Sequence, residues 1–166
     1  MKDISYKDFD ILSPAEKEEA ITLLSRYEQI DKQDGCQKDF LKFVKHMWGD
    51  AFIQGKHHKI IAEKFNRIAQ GKLKRLIVCL PPRHSKSEFA STFLPAWLMG
   101  LNGSLKIIQC THTAELAVRF GRKVRNLIDS DDFKTIFPNL RLQADNKSAG
   151  RWTTNQEGES FYAGVG

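Results

Sequence analysis

The sequence has few cysteines and no long hydrophobic run. Its three cysteines, Cys36, Cys79 and Cys110, are an odd number without the spacing of a zinc site, and two of them lie in apolar stretches. This pattern predicts reduced, buried thiols in a reducing compartment. The first ten residues lack the apolar core of a signal peptide, and no apolar run approaches the roughly 18 residues that cross a bilayer. We therefore expect a soluble intracellular protein.

Acidic residues are the scarcer charged class, with 20 Asp and Glu against 26 Lys and Arg, which gives a formal net charge of +6. This balance favours a polyanionic partner, and a mildly basic soluble protein without such a partner explains it equally well. With 166 residues, of which 41% are hydrophobic, the chain has the length of one domain and can bury an ordinary core.

The most informative stretch runs from Leu76 to Ser87 and reads LIVCLPPRHSKS. Its five apolar residues, 76–80, end at two prolines and predict a fully buried strand that leaves its sheet there. A polar loop follows and leads into a predicted apolar helix. A buried strand, a short loop that ends in Lys-Ser, and a helix form the layout of a phosphate-binding loop.

The chemistry of such a loop explains this spacing. A strand-to-helix turn directs backbone N–H groups and the positive end of the helix dipole toward one anion. Lys86 would contact the β- and γ-phosphates of a nucleotide, and Ser87 would hold the bridging Mg²⁺. The generic pattern GxxxxGK(S/T) is incomplete, because Leu80 and Ser85 stand where its glycines belong. A basic surface turn after a core strand is the alternative interpretation.

The chain before this loop is predicted to be helical. A serine, a proline and a glutamate at 13–16 form a capping box and predict a helix start. This helix is predicted to run to about Ile30 and to end at the polar stretch 31–35. Further helices are predicted over 36–48 and from His57 to Gly71. The first helix is expected to pack on the domain surface through Ala20, Ile21, Leu24 and Tyr27.

Strands and helices are also predicted after the loop. Pro95 should bend or restart the helix that follows the loop. A strand over 105–110 and a helix capped by Thr113 come next, and the tail 151–165 predicts a hairpin or two successive strands. The basic residues of the capped helix would contact DNA phosphates or only keep the helix soluble. These residues are Arg119, Arg122, Lys123 and Arg125.

Several motifs in a fixed order carry a family resemblance. HHKIIAEKF, LIVCLPPRHSKSE, LPAWLMG, THTAELAVRFGRKVR and DFKTIFP follow one another between about Phe40 and Gly166. The chain resembles the large subunit of tailed-bacteriophage terminase, in which proline, arginine and a small residue replace the generic loop glycines. The resemblance implies an ATPase motor that packs double-stranded DNA into a procapsid, in the cytoplasm of the bacterial host. It implies ATP and Mg²⁺ as cofactors, the portal protein and the small terminase subunit as partners, and a homo-oligomeric ring.

The implied fold is α/β of the P-loop NTPase type, a doubly wound, mostly parallel sheet preceded by N-terminal helices. Residues 1–50 would form the helical segment, and 51–166 the first part of the ATPase domain, without the remainder of that domain and the nuclease domain. In the family, the acidic strand end and the glutamate needed for hydrolysis would follow the glycine-rich turn at Gly166. We therefore expect open edges on the loop strand, poor folding of the isolated chain and no ATP turnover.

The resemblance also assigns roles to residues. Arg83 and Lys86 would be catalytic, with Arg83 on the γ-phosphate, and Ser87 would hold Mg²⁺. Gln54, His57 and His58 fall near the adenine-contacting segment, although an exposed helix start also explains the two histidines. Another nucleic-acid translocase or helicase, or a non-catalytic basic binding module, is an alternative function. The complete predicted nucleotide-binding set is Gln54, His57, His58, Pro82, Arg83, His84, Ser85, Lys86, Ser87 and Glu88.

Overall fold

The computed structural model describes residues 13–166, and for 144–147 it describes the backbone alone. The helices are α1 (Pro14–Lys38), α2 (Phe40–Trp48), α3 (Lys56–Ala69), α4 (Lys86–Glu88), α5 (Leu94–Leu101), α6 (Ala114–Asp129) and α7 (Asp131–Ile136). A 3₁₀ turn, Gly49–Ala51, follows α2, and a π-helical turn, Phe89–Phe93, joins α4 to α5. The strands are β1 (Lys106–Thr111), β2 (Leu142–Lys147), β3 (Arg151–Thr154) and β4 (Glu159–Gly164). The protein is therefore mixed α/β and mostly helical.

The four strands form one small mixed sheet in the order β1-β4-β3-β2. β1 and β4 are parallel, with Lys106 opposite Glu159, and the other two pairings are antiparallel. The strand predicted over 105–110 and the hairpin predicted in the tail are confirmed. Thr113 caps α6 as predicted, since its hydroxyl accepts a hydrogen bond from the Leu116 N–H at 3.2 Å. Among the described helices, none has the length and apolarity to cross a membrane.

An aromatic cluster around Phe40 forms the centre of the core. Phe40 is fully buried and lies edge-on to Phe65, Phe89 and Trp97, with ring centroids 5.1, 5.6 and 5.4 Å away. Each such edge-to-face pair adds about 0.5–1.5 kcal/mol to the burial of the rings. The Trp97 indole N–H donates to the Cys36 carbonyl at 2.9 Å. The cluster therefore joins α2, α3, the helix after the loop and the end of α1.

The first helix is longer than predicted. The capping box of Ser13 and Glu16 is confirmed, but α1 continues through 31–35, so the predicted end at this polar stretch is wrong. Hydrogen bonds from α1 to the rest of the protein outweigh the low helix propensity of Asp and Gly in this stretch. The Gln37 side-chain amide donates to the Ile136 carbonyl at 2.7 Å. The break comes at Asp39, whose carboxylate accepts from the N–H of residue 42 and caps α2.

Residues 76–80 are extended, but they are not a strand of the sheet. In the described part of the chain, no backbone–backbone hydrogen bond involves residues 74–80. Leu76, Val78 and Leu80 pack half-buried against the core, whereas Ile77 is 89% exposed. The prediction of a fully buried strand is therefore wrong. An apolar run is buried on both faces only where strands flank it and a layer covers each face, and among the described elements only one face is covered.

The predicted burial of the cysteines is confirmed for only one of them. Cys36 is buried beside Trp97, but Cys79 and Cys110 are exposed. Both exposed thiols lie at alternate positions of extended segments whose other side faces the core, Cys110 in β1 and Cys79 in 76–80. An apolar neighbourhood in the sequence therefore did not indicate which side of the segment is covered.

The helix after the loop contains a π-helical turn, Phe89–Phe93, just before Pro95. The Leu94 N–H donates to the Phe89 carbonyl, five residues earlier. Proline has no N–H to donate, and its ring crowds the carbonyl four residues before it. The wider π turn makes room for the ring. The disturbance expected at Pro95 thus takes the form of this turn, and the helix continues as α5.

Gly164 allows β4 to approach the start of α6. A Cβ atom at this position would lie 2.2 Å from the Ala114 nitrogen, which leaves no room for any side chain. The chain beyond it continues the parallel pairing, because the Val165 N–H donates to the Thr111 carbonyl at 2.9 Å. Glycine at 164 is therefore required by the close packing between the carboxyl end of β4 and the start of α6.

We predict that the backbone amides of 76–80 exchange with solvent much faster than those of β4, which has a hydrogen-bonded strand on each side. The reason is that amides 76–80 have no backbone partner within the described chain. Hydrogen exchange measured by mass spectrometry on the nucleotide-free protein checks this. Equal protection of the two segments would contradict the unpaired state of 76–80.

Candidate nucleotide-binding loop

Residues 81–87 carry the chain from the extended segment into the helix that starts at α4. Two non-glycine residues of this loop are left-handed, Arg83 with φ 63° and Ser85 with φ 58°. This conformation costs roughly 1–2 kcal/mol for a residue with a side chain. Ser85 stands where the generic phosphate loop has its second glycine. The backbone therefore adopts, with serine, a conformation that glycine ordinarily provides.

The backbone around Ser85 forms a concave group of N–H donors. Ser85 is left-handed and Lys86 begins a right-handed helix, and such alternation turns successive N–H groups toward one point that suits an anion. The first hydrogen bond of the helix runs from the Phe89 N–H to the Ser85 carbonyl and is 2.9 Å long. The N–H groups of 86–88 belong to the first turn and have no partner within the helix. They are the donors that a phosphate group would use.

Lys86 and Ser87 line a cavity of about 400 Å³ beside the extended segment. Ser87 is exposed and Lys86 is half-buried. No ion pair among the described residues engages the Lys86 ammonium, so its charge is available to an anionic ligand. The rest of the lining is mostly apolar and consists of Phe65, Ile68, Leu76, Val78, Ala90, Ser91 and Leu94.

The structure brings the second predicted segment, 54–58, next to the loop. The rings of His57 and His84 meet edge-on, with centroids 5.5 Å apart. The loop itself is fixed at His84, whose Nδ1 lies 2.8 Å from the Pro82 carbonyl and donates to it as an N–H. Two stretches that are separated by about 25 residues in the sequence thus form one side of the candidate site.

His58 is buried and hydrogen-bonded through both ring nitrogens. The Gly55 N–H donates to its Nδ1 at 2.9 Å, so the proton of the neutral ring is on Nε2, which donates to His57 Nε2 at 3.0 Å. The ring stacks on Phe89 at 4.8 Å. Burial lowers the pKa of His58, and the charges that His57 and His84 carry when protonated lower it further. His58 therefore supports the loop as a neutral ring.

Gln54 and Glu88, two further predicted residues, have different surroundings. The Gln54 carbonyl oxygen is buried and has no hydrogen-bond partner in the described structure, so a ligand would reach it only after the side chain moves. The Glu88 carboxylate instead forms an ion pair with Lys123 of α6. Glu88 thus ties the helix after the loop to α6. The sequence suggested only a solvated or DNA-binding role for Lys123. Its position next to the apolar residues Phe120 and Val124 of the same helix was the overlooked sign that Lys123 is half-buried.

Any Mg²⁺ bound at this site would have few protein ligands. The residues that the structure describes contain no group of three or more His, Cys, Asp or Glu side chains suited to a metal ion. Mg²⁺ keeps several waters and commonly binds through one or two protein oxygens together with substrate phosphates. The exposed Ser87 hydroxyl, next to the N–H donors, fits a ligand of this kind.

We predict that the free energy of unfolding falls as the pH is lowered from about 7 to about 5, partly because of His58. Its folded pKa lies below the ordinary value of 6.5, so the unfolded state binds the proton more readily. The stabilisation present above 6.5 is therefore lost as the pH falls through the folded pKa. His58→Asn keeps an acceptor for the Gly55 N–H without titrating, and should reduce the change in melting temperature.

His46→Asn is a parallel test outside the loop, since burial also lowers the pKa of His46. Both single variants should reduce the pH dependence, and the double variant should reduce it most. A pH dependence unchanged in His58→Asn would contradict the buried neutral state of this ring.

Comparison with known proteins gives no match to this chain among family models, curated proteins or solved structures. The functional interpretation therefore depends on the geometry of the loop, on the available charge of Lys86 and on the contact of the loop with residues 54–58.

Proposed function

We propose that this chain is the ATP-binding part of a viral DNA-packaging motor of the terminase large-subunit type. The observation that carries the proposal is the convergence at one place of a left-handed Ser85, a Lys86 without an ion pair, and the segment 54–58. A basic surface turn would gain nothing from two left-handed residues, which cost free energy. An anion bound by the N–H groups of the loop would offset that cost.

The proposed roles follow from the position of each residue. The loop N–H groups and Lys86 bind the β- and γ-phosphates, and the Ser87 hydroxyl holds the Mg²⁺ that neutralises them. Arg83 is exposed and contacts the γ-phosphate. His57, which contacts His84 of the loop, and Gln54 lie on the side where the base binds. ATP supplies the free energy of DNA translocation, and these residues bind and orient it.

The P-loop NTPase fold is also part of the proposal. The described sheet has four strands, and segment 76–80 leads into the loop without hydrogen bonds to that sheet. In a doubly wound fold this segment is a strand of a larger parallel sheet. The alternating burial of 76–80, with one side against the core, is the pattern of a strand that has one covered face.

Binding without rapid hydrolysis is the activity that we propose for this chain alone. Attack by water requires an acidic group that holds Mg²⁺ and a residue that orients the water. Among the residues that the structure describes, no acidic side chain lines the cavity at Lys86, and the nearby Glu88 forms an ion pair with Lys123. We therefore expect nucleotide affinity without turnover.

The proposed partners follow from the charge and the resemblance. The net charge is +6, and Arg119 and Arg122 project from the exposed side of α6, where they can contact the phosphates of double-stranded DNA. The portal protein, the small terminase subunit, the ring assembly and the cytoplasm of a bacterial host belong to the same proposal.

We predict that Lys86→Ala weakens the binding of Mg²⁺·ATP roughly ten- to a hundredfold, because it removes a charged hydrogen bond to phosphate that contributes about 1.5–3 kcal/mol. Isothermal titration calorimetry with ATP, ADP and adenosine measures this. The loss should be largest for ATP and absent for adenosine, which has no phosphate.

The matched control is Lys72→Ala, which removes an equal charge from an exposed lysine outside the loop and should leave the affinity unchanged. Equal weakening in both variants would indicate non-specific charge attraction, as expected of a basic binding module. Rapid hydrolysis by the wild-type chain that Lys86→Ala abolishes would contradict binding without turnover.

A further inference from the structure

The net positive charge of the chain is concentrated in one stretch, residues 56–75. This stretch holds seven Lys and Arg against a single acidic residue, Glu63, and its balance of +6 equals the formal charge of the whole chain. The remaining residues keep 19 of the 26 basic side chains and 19 of the 20 acidic ones, so they are neutral as a set. A surface with a strong excess of one sign attracts a partner of the opposite sign.

The basic residues of α3 lie on its solvent side. With 3.6 residues per turn, Lys56, Lys59 and Arg67 fall in one strip along the helix, and all three are exposed. The opposite side of α3 packs into the core through Ile61 and Phe65. At 1.5 Å per residue, the strip from Lys56 to Arg67 is about 17 Å long.

The chain after α3 adds cations at the C-terminal end of this strip. Gly71 is left-handed, with φ 71°, and the Lys72 N–H donates to the Arg67 carbonyl at 2.9 Å. This closure of the helix holds the backbone of Lys72 next to Arg67. Lys74 and Arg75 follow, and both are exposed like Lys72. The cations on the two sides of Gly71 therefore form one continuous group.

Six of the seven cations have no counter-ion in the described part of the chain. Lys64 is the one that is paired, with Glu63 at 3.2 Å. No ion pair among the described residues engages the other six, and all six are exposed. We call these six residues, together with Lys64 and Glu63, the α3 surface. The six are Lys56, Lys59, Arg67, Lys72, Lys74 and Arg75.

The stability of α3 does not account for the lysines at its start. The N-terminus of a helix carries the positive end of the dipole, so cations are unfavourable there. Helices α1, α6 and α7 have acidic residues in the first turn. Helix α3 has none in its first turn, and it begins with Lys56, followed by Lys59. Cations placed against the dipole in this way indicate an external anion.

We propose that the α3 surface binds the phosphate backbone of double-stranded DNA. The duplex carries one negative charge per about 1.7 Å of its axis, so the strip on α3 faces on the order of ten phosphates. The proposal deepens the proposed function, on which it rests for the choice of DNA as the polyanion. It gives the DNA a larger set of cations to contact than the two arginines of α6.

The composition of the α3 surface favours duplex DNA over other polyanions. Proteins that bind single strands stack the bases on exposed aromatic rings, and none of the exposed residues in 56–75 is aromatic. Helices that bind anionic membranes insert an apolar face into the lipid, whereas the apolar face of α3 is buried in the core. Contacts to phosphates alone carry no sequence information. The expected binding is therefore independent of sequence.

The test is fluorescence anisotropy of a labelled duplex of about 20 base pairs, titrated with the whole chain at roughly 50 to 200 mM salt. The logarithm of the association constant should fall against the logarithm of the salt concentration with a slope of about −5, because each of the six contacts contributes about −0.9. Combining Lys59→Gln, Arg67→Gln and Lys74→Gln should make the slope shallower by about 3 and weaken binding about tenfold or more at the lowest salt.

A matched control removes the same charge from another part of the protein. Arg26→Gln, Lys32→Gln and Lys45→Gln together change three exposed cations of α1 and α2 and should leave the slope almost unchanged. Glu63→Gln removes the single carboxylate of the α3 surface and releases Lys64, so it should tighten binding severalfold and steepen the slope by about 1. Misfolding cannot produce such a gain, and circular dichroism checks that every variant is folded.

Four results would overturn the proposal. They are a wild type that does not bind the duplex, equal weakening in the two triple variants, no gain in Glu63→Gln, and binding to a single strand or to vesicles of anionic lipid that is as tight as binding to the duplex. The DNA titrations contain no nucleotide, and the calorimetry with Mg²⁺·ATP contains no DNA. The α3 surface and the nucleotide-binding loop can therefore fail separately.

Discussion

The burial of Phe89 is the interaction on which the candidate site depends. This residue is only 1% exposed and comes directly after the loop. Its ring packs edge-on against Phe40 at the centre of the core and stacks on His58 at the start of α3. One side chain therefore fixes where the helix after the loop begins and which face of α3 meets it. The contact between His57 and His84, and so the approach of residues 54–58 to the loop, follows from this packing.

The core also provides the free energy that a strained loop needs. Arg83 and Ser85 are held in left-handed conformations that serine and arginine rarely adopt. Such conformations persist only where the surroundings determine them. Here the extended segment is anchored by Leu76 and Val78 on one side, and the helix is anchored by Phe89 and the ion pair between Glu88 and Lys123 on the other. A loop without glycine can therefore present its N–H groups as a glycine loop does.

Local signals in the sequence predicted local structure well. The capping box at Ser13, the cap at Thr113 and the tail hairpin are all determined by residues close together in the chain. The order of an apolar run, a loop and a helix that begins at Lys86 was also predicted from the sequence, whereas the roles of Lys86 and Ser87 stay predictions. The convergence of 54–58 with the loop depends on tertiary packing, and only the family resemblance suggested it.

The predictions that failed concerned contacts between distant parts of the chain. The apolar run 76–80 indicates a preference for burial, but it does not specify which strands lie beside it. The first helix was expected to pack on the domain through Ala20, Ile21, Leu24 and Tyr27. This expectation is wrong for Ile21, Leu24 and Tyr27, which are exposed, because the apolar residues of α1 are spread around the helix and do not form one apolar face. The path of α1 through 31–35 depends on hydrogen bonds from Gln33 and Gln37 to a residue about 100 positions away. Helix propensity contains no information about such contacts.

The central claim is that the turn after residue 80 binds the phosphates of a nucleotide. Hydrogen exchange of the whole chain with and without saturating Mg²⁺·ATP tests it most directly, because the amides of 80–88 are the proposed donors. The account predicts slower exchange there in the presence of Mg²⁺·ATP, and a smaller effect with adenosine. A folded protein whose amides at 80–88 exchange at the same rate in both conditions would contradict it.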